Sequence, residues 1–176
     1  MGYDTRFSGQ FNVTPQLKEE HRNYLKKFAE TRRMKRDPKL AERLPDPART
    51  AVELPIGEEG AYFVGASGFM GQDEDESVTD GNGPPAGQPG LWCQWTPNEN
   101  GTAIEFDGGE KFYNYIEWLE YLIVHFLKPW GYTLSGQVKW QGEDGDDSGM
   151  ITIKGNQIEN TDMAGVPLLA DNSEEE

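Results

Sequence analysis

The stretch from Phe112 to Leu127 places Phe112, Tyr115, Ile116, Leu119, Leu122, Ile123 and Phe126 at intervals of three and four. That spacing lays one apolar face along a helix, and such a face has to be covered. Trp118, Tyr121 and Val124 widen the face, so the helix is expected to pack on a sheet and to meet a further surface. At 1.5 Å per residue it would be about 24 Å long, too short and too polar to cross a bilayer. Pro129-Trp130-Gly131 ends it. Two alternating runs follow, Leu134–Trp140 and Met150–Gly155, joined by the acidic stretch 142–149. This pattern predicts an antiparallel pair of strands with an acidic tip.

The rest of the chain is read around that segment. Phe7, Gly9, Phe11 and Val13 alternate with polar neighbours, which predicts a strand over Thr5–Val13. Thr14 is a good N-cap with Pro15 at the first helical position. Leu17, His21, Tyr24, Leu25 and Phe28 then mark the buried stripe of a helix running to about Arg36, stopped by Asp37-Pro38. The triplet Ser-Gly-Gln occurs at Ser8–Gln10 and again at Ser135–Gln137, which fits two related strand–helix halves. Short strands are expected at Ala61–Val64, Leu91–Trp95 and Ala103–Phe106. Residues 65–90, rich in glycine, proline and acid, read as a flexible loop inserted into a hairpin. The expected fold is α+β: a two-layer sandwich of order β-α-β-β-β-α-β-β. Its antiparallel sheet would have about five or six strands, with two long helices on one face. Residues 1–159 form a single domain in this reading, and 160–176 a disordered acidic tail.

Charge narrows the partners. The chain of 176 residues carries a formal charge of −15, unevenly spread. Residues 1–49 hold 12 Lys/Arg against 7 Asp/Glu, whereas residues 50–176 hold 4 against 24. Most of its surface should therefore repel nucleic acid and anionic membranes, and direct binding to either is not expected. A basic protein surface is the complementary partner. The single cysteine, Cys93, excludes an internal disulfide framework and fits a reducing cytoplasm.

Candidate chemistry is sparse. Asp144, Asp146 and Ser148, with Gly149 and Ile151, match the first half of a calcium loop, but Gly155 stands where the closing glutamate belongs. A solvated acidic turn accounts for the pattern more simply; no cofactor is expected, with calcium or magnesium at this turn the alternative. Glu105, Asp107 and Glu110 add carboxylates but no histidine in a useful register. Arg32, Arg33, Lys35 and Arg36 form the basic cluster, read as cations at a helix C-terminus or as an anion-binding site. Glu143, Asp144, Asp146 and Asp147, together with Asp73, Glu74, Asp75 and Glu76, are the candidate contacts to a basic partner. No nucleophile elbow, phosphate-binding glycine loop or paired-cysteine motif occurs.

The Gly108–Tyr113 helix start (GEKFY after Gly108) and the Gly142–Asp144 turn between two strands resemble a group of uncharacterised small acidic proteins of bacteriophages and bacteria. The likeness covers residues 3–158 without the long loop. It implies an α+β fold and a phage or mobile-element origin, and carries over no catalytic residue. The expected function is a non-enzymatic acidic accessory protein, phage-encoded, that binds and modulates a host protein, as an anti-defence factor or nucleic-acid mimic. The alternatives are a metal-dependent enzyme or calcium-binding module using the 142–149 turn, and a virion or assembly component.

Overall fold

The two Ser-Gly-Gln triplets lie side by side. In the computed structural model, which describes residues 2–65 and 74–168, β1 (Arg6–Thr14) pairs antiparallel with β6 (Thr133–Gln141). Gln10 faces Gln137, Gly9 faces Val138 and Gly136 faces Phe11, so the pairing has a local two-fold at the glutamines. Gly136 has φ of 144°, and a Cβ there would stand 3.0 Å from the Gln10 carbonyl oxygen. The repeated glycine thus serves close strand approach. It does not mark two strand–helix halves, because a helix follows β1 whereas a helix precedes β6.

The sheet is completed by β4 (Trp95–Pro97), β5 (Ala103–Phe106), β7 (Ser148–Lys154) and β8 (Gln157–Asp162). It has six antiparallel strands in the order β4-β5-β1-β6-β7-β8. Alternation decides its faces. Phe11, Val13, Leu134, Val138, Ile151 and Ile153 are buried on one side, and Ser8, Gln10, Asn12, Gln137 and Lys139 are exposed on the other. An aromatic cluster closes the buried side at one end. The Phe7 ring lies 4.8 Å from Phe106, 4.9 Å from Tyr115 and 5.1 Å from Trp95, near the favoured spacing of edge-on rings. The chain's helices and this sheet make the fold mixed α+β.

The long helix of the sequence pattern is shorter and less regular than its apolar face suggests. It begins at Tyr115, because Lys111 (φ 57°) and Asn114 (φ 59°) hold the left-handed backbone that a helix does not admit. α4 (Tyr115–Leu122) passes directly into a π turn at Ile123–Leu127, where the Lys128 N–H reaches back to the Ile123 carbonyl at 2.9 Å. The extra residue re-aims the side chains. Phe126 and Leu127 are both buried, and Val124, expected on the apolar face, is 60% exposed.

The described residues gather into two compact units where the sequence reading has one domain. The sheet unit holds residues up to Leu17 and from Gln94 onward, and the second unit is Lys18–Cys93. The first long helix, α1 (Glu19–Glu30), belongs to the second unit, and the expected sandwich with two long helices on one sheet face is not confirmed.

α1 stops at Glu30 rather than Arg36. Thr31 is extended, and the N–H groups of Arg33, Lys35 and Asp37 go to the carbonyls of Leu91, Gly83 and Ser77. Lys35–Arg36 (β2) pairs with Val78–Asp80 (β3). Two short helices follow β2: α2 (Pro38–Ala41) and α3 (Pro47–Ala51).

No strand forms at Ala61–Val64, and the Leu91–Trp95 run contributes only Trp95 to the sheet. Side chains satisfy the carbonyls that a ladder would have used. Tyr24 donates to Tyr62 at 2.9 Å, and Arg33 to Ala61 at 2.9 Å and Phe63 at 3.0 Å. Asp46, itself buried, accepts the Gly65 N–H at 2.9 Å. Residues 160–162, expected in the tail, belong to β8, which runs to Asp162, and Thr161 bridges to Pro167.

Candidate functional site

The acidic tip sits where β6 ends and β7 begins, with Gln141 paired to Ser148. A hairpin turn of this length leaves several carbonyls without ladder partners. Here the Gln141 side chain takes them: Nε2 lies 3.1 Å from the Gly142 carbonyl, 3.0 Å from that of Asp144 and 3.3 Å from that of Asp147. The Gly142 N–H closes the turn onto the Asp147 carbonyl at 2.7 Å. Glu143, Asp144 and Asp146 are exposed, and Asp147 is half-buried.

The N-terminal segment straps this turn from the side. The Tyr3 hydroxyl donates to the Asp147 carboxylate and accepts the Asp144 N–H at 3.4 Å. Burial and the bond to Asp147 raise the Tyr3 hydroxyl above its ordinary pKa. The Asp4 N–H donates to Glu143 Oε2 at 2.7 Å. On its other side the strap meets the loop before α4: Tyr3 N–H donates to the Tyr113 hydroxyl at 3.0 Å, and Lys111 N–H to Asp4 Oδ1 at 2.9 Å. The carboxylates of the turn are therefore displayed on a braced scaffold rather than a loose tip. Tyr3, Asp4 and Gln141, which brace the turn, are residues that pattern reading did not single out. Nothing local marks them, because their partners are remote in sequence or are backbone atoms.

The second acidic set lies in the other unit. Asp73 falls outside the described residues. Glu74 and Glu76 are exposed, whereas Asp75 meets Arg36 Nη1 at 2.9 Å. Burial pushes the Asp75 carboxyl up, but the Ser77 hydroxyl, Arg36 and the Ser77 N–H outweigh it and hold the pKa below the usual carboxylate value.

The basic cluster is engaged by its own unit. Arg33 is 2% exposed, with its guanidinium 4.1 Å from the Phe28 ring centroid, and Arg36 lies 4.3 Å over the Phe63 ring. Arg32 donates to the Gly81 carbonyl at 2.9 Å and to Asn82 at 3.2 Å, and Lys35 stands 3.9 Å from Glu59. These contacts tie 31–36 to the segments around it, which is what the cations of this stretch do in the structure.

For the half calcium motif, Asp144 and Asp146 point from the exposed tip while Ser148 opens β7. Among the described residues no group of three His, Cys, Asp or Glu side chains is placed to hold a metal ion. Asp144, Asp146 and Ser148 are brought into one turn. Cys93 is fully buried, and His125 stacks on Tyr121 with centroids 4.1 Å apart. No helix of the described residues is long and apolar enough to cross a membrane.

Comparison with protein families, with curated proteins and with solved structures gave no match.

Proposed function

We propose that this chain is an acidic accessory protein of the cytoplasm that binds a basic surface of another protein through the 142–147 turn. One observation supports the reading above the others: Glu143, Asp144 and Asp146 stand in solvent on a turn whose backbone is held by Gln141 and Tyr3, with the Asp4 N–H bonded to the Glu143 carboxylate. Carboxylates fixed before contact lose little freedom on binding and can match a spaced set of lysines and arginines. With its resemblance to phage and bacterial proteins, the chain acts in this proposal on a host protein, and a nucleic-acid-binding surface is the basic surface it would occupy.

The test replaces exposed carboxylates and leaves Asp147, which holds Tyr3, in place. Native protein and the Glu143→Lys, Asp144→Lys, Asp146→Lys variant are each used to capture proteins from a bacterial lysate, with washes at low and high salt. A defined partner kept by the native protein at high salt and lost by the variant is the expected result. Retention of the same proteins by both, or release of everything as salt rises, would sink the proposal, because surface charge without shape is screened.

A further inference from the structure

Among the described residues five large hydrophobic side chains are exposed: Tyr3, Tyr113, Val124, Met163 and Val166. Four of the five converge on one end of the sheet. Tyr3 is bonded to Tyr113 and lies against the 142–147 turn. Met163 and Val166 follow β8, whose last residue, Asp162, pairs with Gly149 near the start of β7. Arg6–Gln141, Gln141–Ser148 and Gly149–Asp162 are successive pairs across this end. At about 4.8 Å per strand, the turn after β8 is within ~15 Å of the strap on β1.

The apolar tip is as firmly built as the acidic one. Asp162 Oδ1 accepts the N–H groups of Ala164 at 3.0 Å and Val166 at 2.8 Å. The Asp162 N–H donates to the Val166 carbonyl at 2.9 Å, and the Leu168 N–H to that of Asn160 at 2.7 Å. Together they hold Met163 and Val166 in solvent, each 55% exposed. A flexible tail would let such side chains fold against the sheet. Held apolar side chains next to a turn of carboxylates have the make-up of an interface, with apolar anchors and charge at the rim.

We infer that this end of the sheet docks a protein whose apolar pocket is rimmed by lysine and arginine, with Met163 and Val166 entering the pocket and Glu143, Asp144 and Asp146 meeting the rim. The inference rests on the proposed role of the acidic turn and adds to it that affinity comes from the apolar pair. Charge complementarity selects this occupant. An anionic membrane or a nucleic acid would be repelled by the same carboxylates, and a second copy of a chain carrying −15 brings like charge.

A random peptide library selected against the intact protein tests it without a known partner. The expected peptides carry an apolar residue flanked by Lys or Arg. Their binding should fall about tenfold or more in Met163→Ser, Val166→Ser and should become less salt-dependent in Glu143→Gln, Asp144→Asn, Asp146→Asn. Purely basic peptides that bind the serine variant equally well would overturn the apolar anchor while leaving the acidic turn standing. Peptides indifferent to both variants, or no selection at all, would overturn both. A concentration-dependent dimer in sedimentation, abolished by the serine substitutions, would assign the surface to a second copy and overturn the proposal. All five positions are exposed, so unchanged thermal unfolding is the fold control.

Discussion

Arg33 shows how much a single side chain carries in the second unit. A guanidinium at 2% exposure bonds two carbonyls, meets Gln88 Oε1 at 3.2 Å and covers the Phe28 ring. Lysine cannot reproduce that planar set of donors, and methionine replaces none of them. Arg33→Met should cost about 2–3 kcal/mol in urea unfolding, since the Phe63 carbonyl and Gln88 Oε1 lose a buried donor. Arg33→Lys should recover only part of it. Gly149 is a second sensitive position. A methyl there would overlap the Thr161 carbonyl of the neighbouring strand and come within 2.6 Å of the Trp140 ring, so the backbone of β8 must move. Gly149→Ala should destabilise by about 1–3 kcal/mol, measured the same way.

Among elements, the α4–π segment and the segment of residues 75–80, which ends in β3 and which charge holds through Asp75, respond to different forces. Phe126 is fully buried within the π turn, stacked 5.5 Å from Trp130 and edge-on to Tyr121 at 5.8 Å. Phe126→Ala should therefore cost about 3–5 kcal/mol, while Val124→Ser, at a position 60% exposed, should leave the melting temperature nearly unchanged. The 75–80 segment depends on charge. Asp75 has its pKa lowered in the folded chain, so its contribution is present at pH above the ordinary carboxylate value and disappears as pH falls through the folded one. The stability difference between the native protein and Asp75→Asn should be full at neutral pH and vanish on acidification. A difference that stays constant from neutral to strongly acid pH would show that the Arg36 contact is not what fixes this segment.

For the whole molecule, the consequential feature is that the sheet unit is discontinuous in sequence. Its β1 lies before residues 18–93 and its other strands after them, and β1 is nevertheless paired on both sides, to β5 and β6. The second unit is thus inserted into the sheet unit rather than appended to it. A chain in which 18–93 is replaced by a short Gly/Ser linker should keep the sheet unit's near-ultraviolet tryptophan signal and unfold cooperatively. Loss of that signal would mean that the sheet needs the insertion to form. The charge asymmetry of the sequence takes a new meaning at this scale. Most cations of the N-terminal part lie in the inserted unit, where Arg32, Arg33 and Arg36 bind local oxygens, while the sheet unit displays Glu143, Asp144 and Asp146 on one turn.

What the sequence determined by itself is the set of patterns that depend on near neighbours. Period-two alternation located β1, β6 and β7 to within a residue or two, and the three-four spacing picked out the buried face of α4, because both follow from backbone geometry alone. The acidic turn was visible as a run without apolar residues. Other features were settled only by tertiary contact. Ala61–Val64 looks like a strand, but its carbonyls accept from the side chains of Arg33, Tyr24 and Gln88 instead of a ladder. The helix from Glu19 gave up its last expected turn and a half because residues 31–36 bond to segments from 77 to 91. The π turn that exposes Val124 and the left-handed residues that delay α4 carry no periodic signal. The gathering of Tyr3, Tyr113, Met163 and Val166 with the acidic turn was likewise invisible, since these residues are far apart in sequence and only strand pairing, which is non-local, brings them to one end.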